Sequence, residues 1–217
     1  MALFSQWIGF LVAMVLVSSI LMVGCRRIEQ MIRLFALQSL GLAIITVMSG
    51  FLSHSQHPFF VAGITFLGKC ILIPWFLVFV MKRVKMRREV ETVISLPVSM
   101  LIAGGIIIFS FYLSGQLNSG VGNLYSLLLG LSVSLVLIGL FMMMTRKKAF
   151  TEVIGLYLME NGVYTLTIAT IFEMPLIIEM GIFLDLLIGI LVMGVWVYRI
   201  KQSFDSVNIE ALKELKG

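Results

Sequence analysis

Charge is scarce in this chain. Of its 217 residues only 12% are Asp, Glu, Lys or Arg, while 60% are hydrophobic. A soluble domain of this length needs a far more charged surface. Cysteine and histidine are scarcer still, with two of each. Cys25 sits at a helix end and Cys70 inside an apolar run. Neither suits an extracellular disulfide, and two cysteines cannot hold an iron–sulfur cluster. Both read as small packing residues. His54 and His57 stand in a short loop beside Pro58 with no cysteine or carboxylate nearby in sequence, so metal binding is not expected there. No glycine-rich phosphate loop, Ser/His/Asp set or metal-binding cysteine motif appears. These absences argue against a chain that catalyses a bond change unaided, and no cofactor is expected to bind to it alone.

What the chain does have is long apolar runs. Bilayer hydrocarbon is roughly 30 Å thick, which one helix of about 20 apolar residues crosses. Seven such runs can be marked, at 3–24, 31–53, 59–81, 93–114, 122–144, 151–172 and 176–198. They use up most of the chain, so the expected class is an all-α polytopic membrane protein with about seven transmembrane helices. The first run lacks a basic leader, is long for a signal peptide and is followed by no small-x-small cleavage motif, so it is expected to stay as a span.

The net charge of +5 comes from short basic clusters. Arg26 and Arg27 follow the first run, and Arg33 begins the second. Lys82, Arg83, Lys85, Arg87 and Arg88 follow the third. Arg146, Lys147 and Lys148 follow the fifth, and Arg199, Lys201, Lys213 and Lys216 follow the seventh. The alternate loops carry no Lys or Arg. Clusters on every second loop are an orientation signal, not a nucleic-acid footprint. They place the N-terminus outside and the C-terminus in the cytoplasm.

The chain also reads as built twice. Ile32 to Ser39 aligns with Ile154 to Asn161, setting Gln38 opposite Glu160. The third and seventh runs each open after a proline, Pro58 and Pro175, and Lys69 then matches Asp185. The expected organisation is a three-helix repeat over 1–92, a linking helix and loop over 93–121, and a second three-helix repeat with a cytoplasmic tail over 122–217. The linking span restores orientation, so the repeats are parallel.

Charges inside apolar runs carry the functional information. A charge at mid-bilayer costs at least about 2.5–3.5 kcal/mol on insertion scales, so it is seldom present without a use. Lys69, Glu160 and Asp185 lie near the middle of their runs. Tyr157, Glu160, Asn161 and Tyr164 are spaced i, i+3, i+4, i+7 and share one helical face. Burial favours the neutral form of a carboxyl and a nearby cation favours its charged form, so a group set between the two can exchange protons. Lys69 follows Gly68 and precedes Pro74, whose missing N–H breaks the helical ladder beside the cation. Glu160, Asp185, Lys69 and Tyr157 are the proton-transfer candidates, with Asn161, Tyr164 and Gln38 as polar support. The plainer reading is that these charges pair statically and fix helix packing.

The stretch Ile154-Gly155-Leu156-Tyr157-Leu158-Met159-Glu160-Asn161-Gly162 resembles the second span of the K-type membrane subunit of respiratory complex I. The stretch from Asp185 to Gly189 resembles its third span, and the tail from Phe204 to Gly217 its end. Over nearly the full length the chain resembles component E of hydrogenase-4, on Leu158 to Gly162, Ile178 to Ile182 with Asp185, Lys69 with Pro74, and Ala211-Leu212-Lys213. This resemblance implies a membrane subunit of an energy-converting nickel–iron hydrogenase complex in the cell inner membrane. Its expected partners are antiporter-like and other membrane subunits and a soluble hydrogenase module. The nickel–iron centre and iron–sulfur clusters would belong to those partners. It also implies a lateral proton path, in which Asp185 matches the K-type carboxylate of span three. The span-two carboxylate of that subunit falls at Tyr157, with Glu160 one turn later on the same face. The K-like subunits of multisubunit sodium/proton antiporters resemble the C-terminal half. An antiporter subunit and a purely structural membrane subunit are therefore the alternative readings.

Overall fold

A computed structural model describes residues 2–53, 62–63, 66–83, 90–117 and 123–170. Helix α1 spans Ala2–Gly24 and α2 Ile28–Ser53. A π-helical segment, Phe66–Leu72, runs into α3, Ile73–Arg83. Then come α4 (Leu96–Leu117), α5 (Asn123–Thr145) and α6 (Ala149–Thr170). Among the described residues there is no strand, only an isolated bridge between Thr92 and Arg146.

The helices follow from the apolar runs. In α1, α2, α4 and α5 the stretches Gln6–Gly24, Ile28–Phe51, Leu96–Leu117 and Asn123–Thr145 are long and apolar enough to cross a membrane. The 22 residues of α6 have spanning length, about 33 Å at 1.5 Å per residue. Their polar stripe makes them less apolar than the other four. The run 3–24 differs from α1 by one residue at its start, and 122–144 is displaced by one residue from α5. The run 93–114 is displaced three residues from α4, because the chain from Val90 to Val93 is engaged in hydrogen bonds to neighbouring turns. The run 176–198 lies outside the described residues, as do parts of 59–81.

Pro74 breaks the regular ladder of its span. The helix widens into seven π-helical residues ahead of the proline, with Lys69 at their centre. A π turn shifts the hydrogen-bond register by one residue beside the missing donor, and such turns are often found at functional sites.

Hydroxyl groups in these apolar helices are satisfied locally. Ser18, Ser19, Thr46, Ser49, Ser134 and Thr165 each donate to a carbonyl three or four residues back, at 2.7–2.9 Å. With no water in hydrocarbon, this internal bonding is what makes such residues tolerable. Helices α5 and α6 pack most closely, and glycine is the reason. A Cβ on Gly139 would stand 2.5 Å from the Met159 nitrogen, and one on Gly162 2.7 Å from the Val136 nitrogen. Small residues let two backbones approach where burial from lipid supplies no hydrophobic drive. Helix α4 packs on α1 and α5 yet leaves Leu101 and Ile108 about three-quarters exposed. Such a surface suits lipid contact and not water.

The basic turns meet at one end of the bundle. Val90 N–H donates to the Arg26 carbonyl, Val93 N–H to the Thr145 carbonyl, and Lys147 N–H to the Glu91 carbonyl. Lys148 pairs with Glu91 at 3.1 Å. Arg146 is 4% exposed, and its Nη2 donates to the Val23 carbonyl at the end of α1 over 2.6 Å.

Candidate functional site

Two of the three charges expected inside the helices, Lys69 and Glu160, come together. Lys69 projects from the π segment and its Nζ lies 3.0 Å from Oε1 of Glu160, half-way along α6. The two side chains are 5% and 1% exposed. The ammonium also donates to Asn161 Oδ1 at 3.5 Å and lies 5.2 Å from the centre of the Tyr164 ring. A cation desolvated to this degree needs such partners, since its isolation would cost several kcal/mol or more. The stripe expected on α6 thus has a use: Glu160, Asn161 and Tyr164 all face Lys69.

From Asn161 a chain of polar groups crosses the bundle. Asn161 Nδ2 donates to Gln38 Oε1 and to Ser39 Oγ, both at 3.4 Å. Gln38 Nε2 donates to Ser19 Oγ at 2.8 Å, and Ser19 donates to the Val15 carbonyl at 2.8 Å. Lys69 sets the direction. Its ammonium claims the Asn161 carbonyl oxygen, so the amide nitrogen turns to Gln38, and each later group donates away from the cation. Amide side chains hold no titratable proton, so only the Lys69–Glu160 pair can gain or lose one. The rest of the chain orients that pair.

Tyr164 is anchored by a second contact, a 2.7 Å hydrogen bond between its hydroxyl and Thr46 Oγ1 on α2. Tyr157 lies one turn before Glu160 and sets its ring against Phe35, with centroids 5.6 Å apart. Asp185 lies outside the described residues. Ser19, Ser39 and Thr46 were not foreseen from sequence. All are fully buried, and the only trace they leave is a hydroxyl within an otherwise apolar helix.

At the basic end, burial pushes the Cys25 thiol up, against a smaller opposing pull from the Arg146 guanidinium. Burial lowers Arg146 in turn, though a guanidinium stays protonated. Among the described residues no group of three His, Cys, Asp or Glu is placed to hold a metal ion.

No protein-family model and no solved structure matches the chain. It is 27% identical to an uncharacterized protein of Mycobacterium tuberculosis, over 98% of this chain and 97% of that one. It is 18% identical to hydrogenase-4 component E of Escherichia coli K12 and of Shigella flexneri, over 98% of this chain and 99% of theirs. The long apolar helices make this a membrane protein, and over its full length it is distantly similar to hydrogenase-4 component E.

Proposed function

We propose that this chain is a membrane subunit of an energy-converting nickel–iron hydrogenase complex, and that it takes part in moving protons coupled to electron transfer. The observation that carries the proposal is the Lys69–Glu160 pair, 3.0 Å apart and almost fully buried half-way along α6. Placing two charges there is costly, and replacing them with apolar residues is often no worse for stability. Their retention is accounted for by a use that needs charge. Proton exchange within the pair converts ammonium and carboxylate into amine and acid, and the π segment provides a helix register that can shift beside it. In this reading Asp185 and Tyr157 extend the path, within a seven-span chain of two parallel repeats. The basic end faces the cytoplasm of the cell inner membrane, following the positive-inside rule. Antiporter-like and other membrane subunits flank the chain, and a soluble hydrogenase module supplies the metal centres.

The test is Glu160→Gln in the intact complex reconstituted into vesicles. In the complex that does assemble, loss of proton uptake with electron transfer intact is the expected result. Unchanged proton movement per electron refutes the role.

A second reading has its own support. The amide chain ends on the Val15 carbonyl with every step a directed hydrogen bond, which is the form of a structural lock. A structural subunit predicts that Glu160→Gln lowers assembly while any complex that forms pumps normally. Sodium-dependent exchange without a redox partner would instead mark an antiporter subunit.

A further inference from the structure

The basic end of the bundle holds a cavity of about 880 Å³ between α1, α2 and α4. Arg26, Arg27 and Arg33 line it, together with Gln30. All four are exposed, and among the described residues none of the three guanidinium groups is in an ion pair. Among the described residues no acid lines the cavity; Glu29, in the first turn of α2, is not part of its wall. The end of α1, which would bring negative charge from its free carbonyls, is already capped. Arg146 takes the Val23 carbonyl, and the Cys25 and Val90 N–H groups take those of Met22 and Arg26. Three positive groups therefore face one space, and among the described residues no acid pairs with them.

The remaining wall is apolar. Leu21, Leu34 and Met100 line it. One turn further from the basic end lie Val17 on α1, 55% exposed, and Leu37 on α2, 42% exposed. Val17 precedes Leu21 by four residues and Leu37 follows Arg33 by four, so each continues its own helix face away from the arginines. The result is a charged mouth at the membrane surface that leads into an apolar furrow.

We propose that this cavity binds the phosphate of an anionic phospholipid, with its acyl chains lying along the furrow between α1 and α2. The chemistry shared with a free phosphate is the oxyanion, for which guanidinium forks are well suited. The furrow favours the lipid, because a free phosphate makes no use of it. Basic pockets between spanning helices on the cytoplasmic side commonly take such headgroups.

The test uses the full-length chain, purified in detergent and stripped of lipid, with native mass spectrometry as readout. The probes are dioleoyl phosphatidylglycerol, dioleoyl phosphatidylcholine with the same tails, and the soluble headgroup glycerophosphoglycerol. The expected result is a preference for the anionic lipid that falls about fivefold in R33Q and about 30-fold in R27Q/R33Q, with K147Q unchanged. Equal binding of the two lipids overturns the proposal, and so does an equal loss in K147Q, which marks non-specific charge. Binding of glycerophosphoglycerol as tightly as the lipid assigns the site to a soluble phosphate and also overturns it.

Discussion

The ammonium of Lys69 and the carboxylate of Glu160 stand 3.0 Å apart, joining a π-helical segment to the middle of α6, and both are almost fully buried. Each group makes the other tolerable. Removing one therefore costs more than removing both. Glu160→Gln leaves a buried cation without its counter-charge and should destabilise the chain by about 3–5 kcal/mol. Lys69→Met combined with Glu160→Leu should recover most of that loss. Unfolding titrations in mixed micelles measure both, and additive losses would contradict the pairing.

Tyr164 has two duties, presenting its ring to Lys69 and its hydroxyl to Thr46. Tyr164→Phe keeps the ring and loses only the hydrogen bond. It should cost about 1 kcal/mol, and Thr46→Val in the same chain should add almost nothing further. Tyr164→Leu removes the ring as well and should cost more.

The close approach of α5 and α6 depends on hydrogen at two positions. Gly139→Val places new atoms against the Met159 backbone, which cannot move aside as a side chain can. A loss of about 3 kcal/mol or a failure to insert is expected. Gly104→Ala on α4 meets nothing within 4 Å and should leave stability unchanged or raise it slightly. The same unfolding assay compares the two.

Cys25 should react slowly with iodoacetamide at neutral pH, because burial favours its neutral thiol. The half-maximal alkylation rate, followed in a Cys70→Ser background, should fall above the usual thiol value of about 8.5. Folded chains then keep the proton at pH values where unfolded chains have lost it. Stability is full below the unfolded pKa and declines as pH rises past it. Arg146→Met removes the cation that opposes this shift, and should move the alkylation profile further up.

Much of the fold was legible in the residues. Apolar length alone located α1, α2, α5 and α6 to within three residues. The spacing of Tyr157, Glu160, Asn161 and Tyr164 placed them on one face of α6. Two features were not legible. The π segment arises because Pro74 withholds a donor, and the sequence admits a kink or a widened turn as equally valid responses. Arg146 read as one more loop cation, and its burial against the Val23 carbonyl follows from where α1 and α5 happen to end together.

By itself the sequence determined that the chain lives in a membrane, that it is helical, and where its rare charges fall along the helices. Water, lipid and helix period act on each segment separately, so segment composition carries that information. Only the tertiary structure decided that Lys69 meets Glu160 and Asn161, the latter 92 positions away, and that Asn161 turns its amide toward Gln38. Those contacts depend on how each helix is rotated about its axis against its neighbours. Rotation is set by the joint packing of small residues such as Gly139, Gly155 and Gly162 with the side chains opposite them, which no single segment contains.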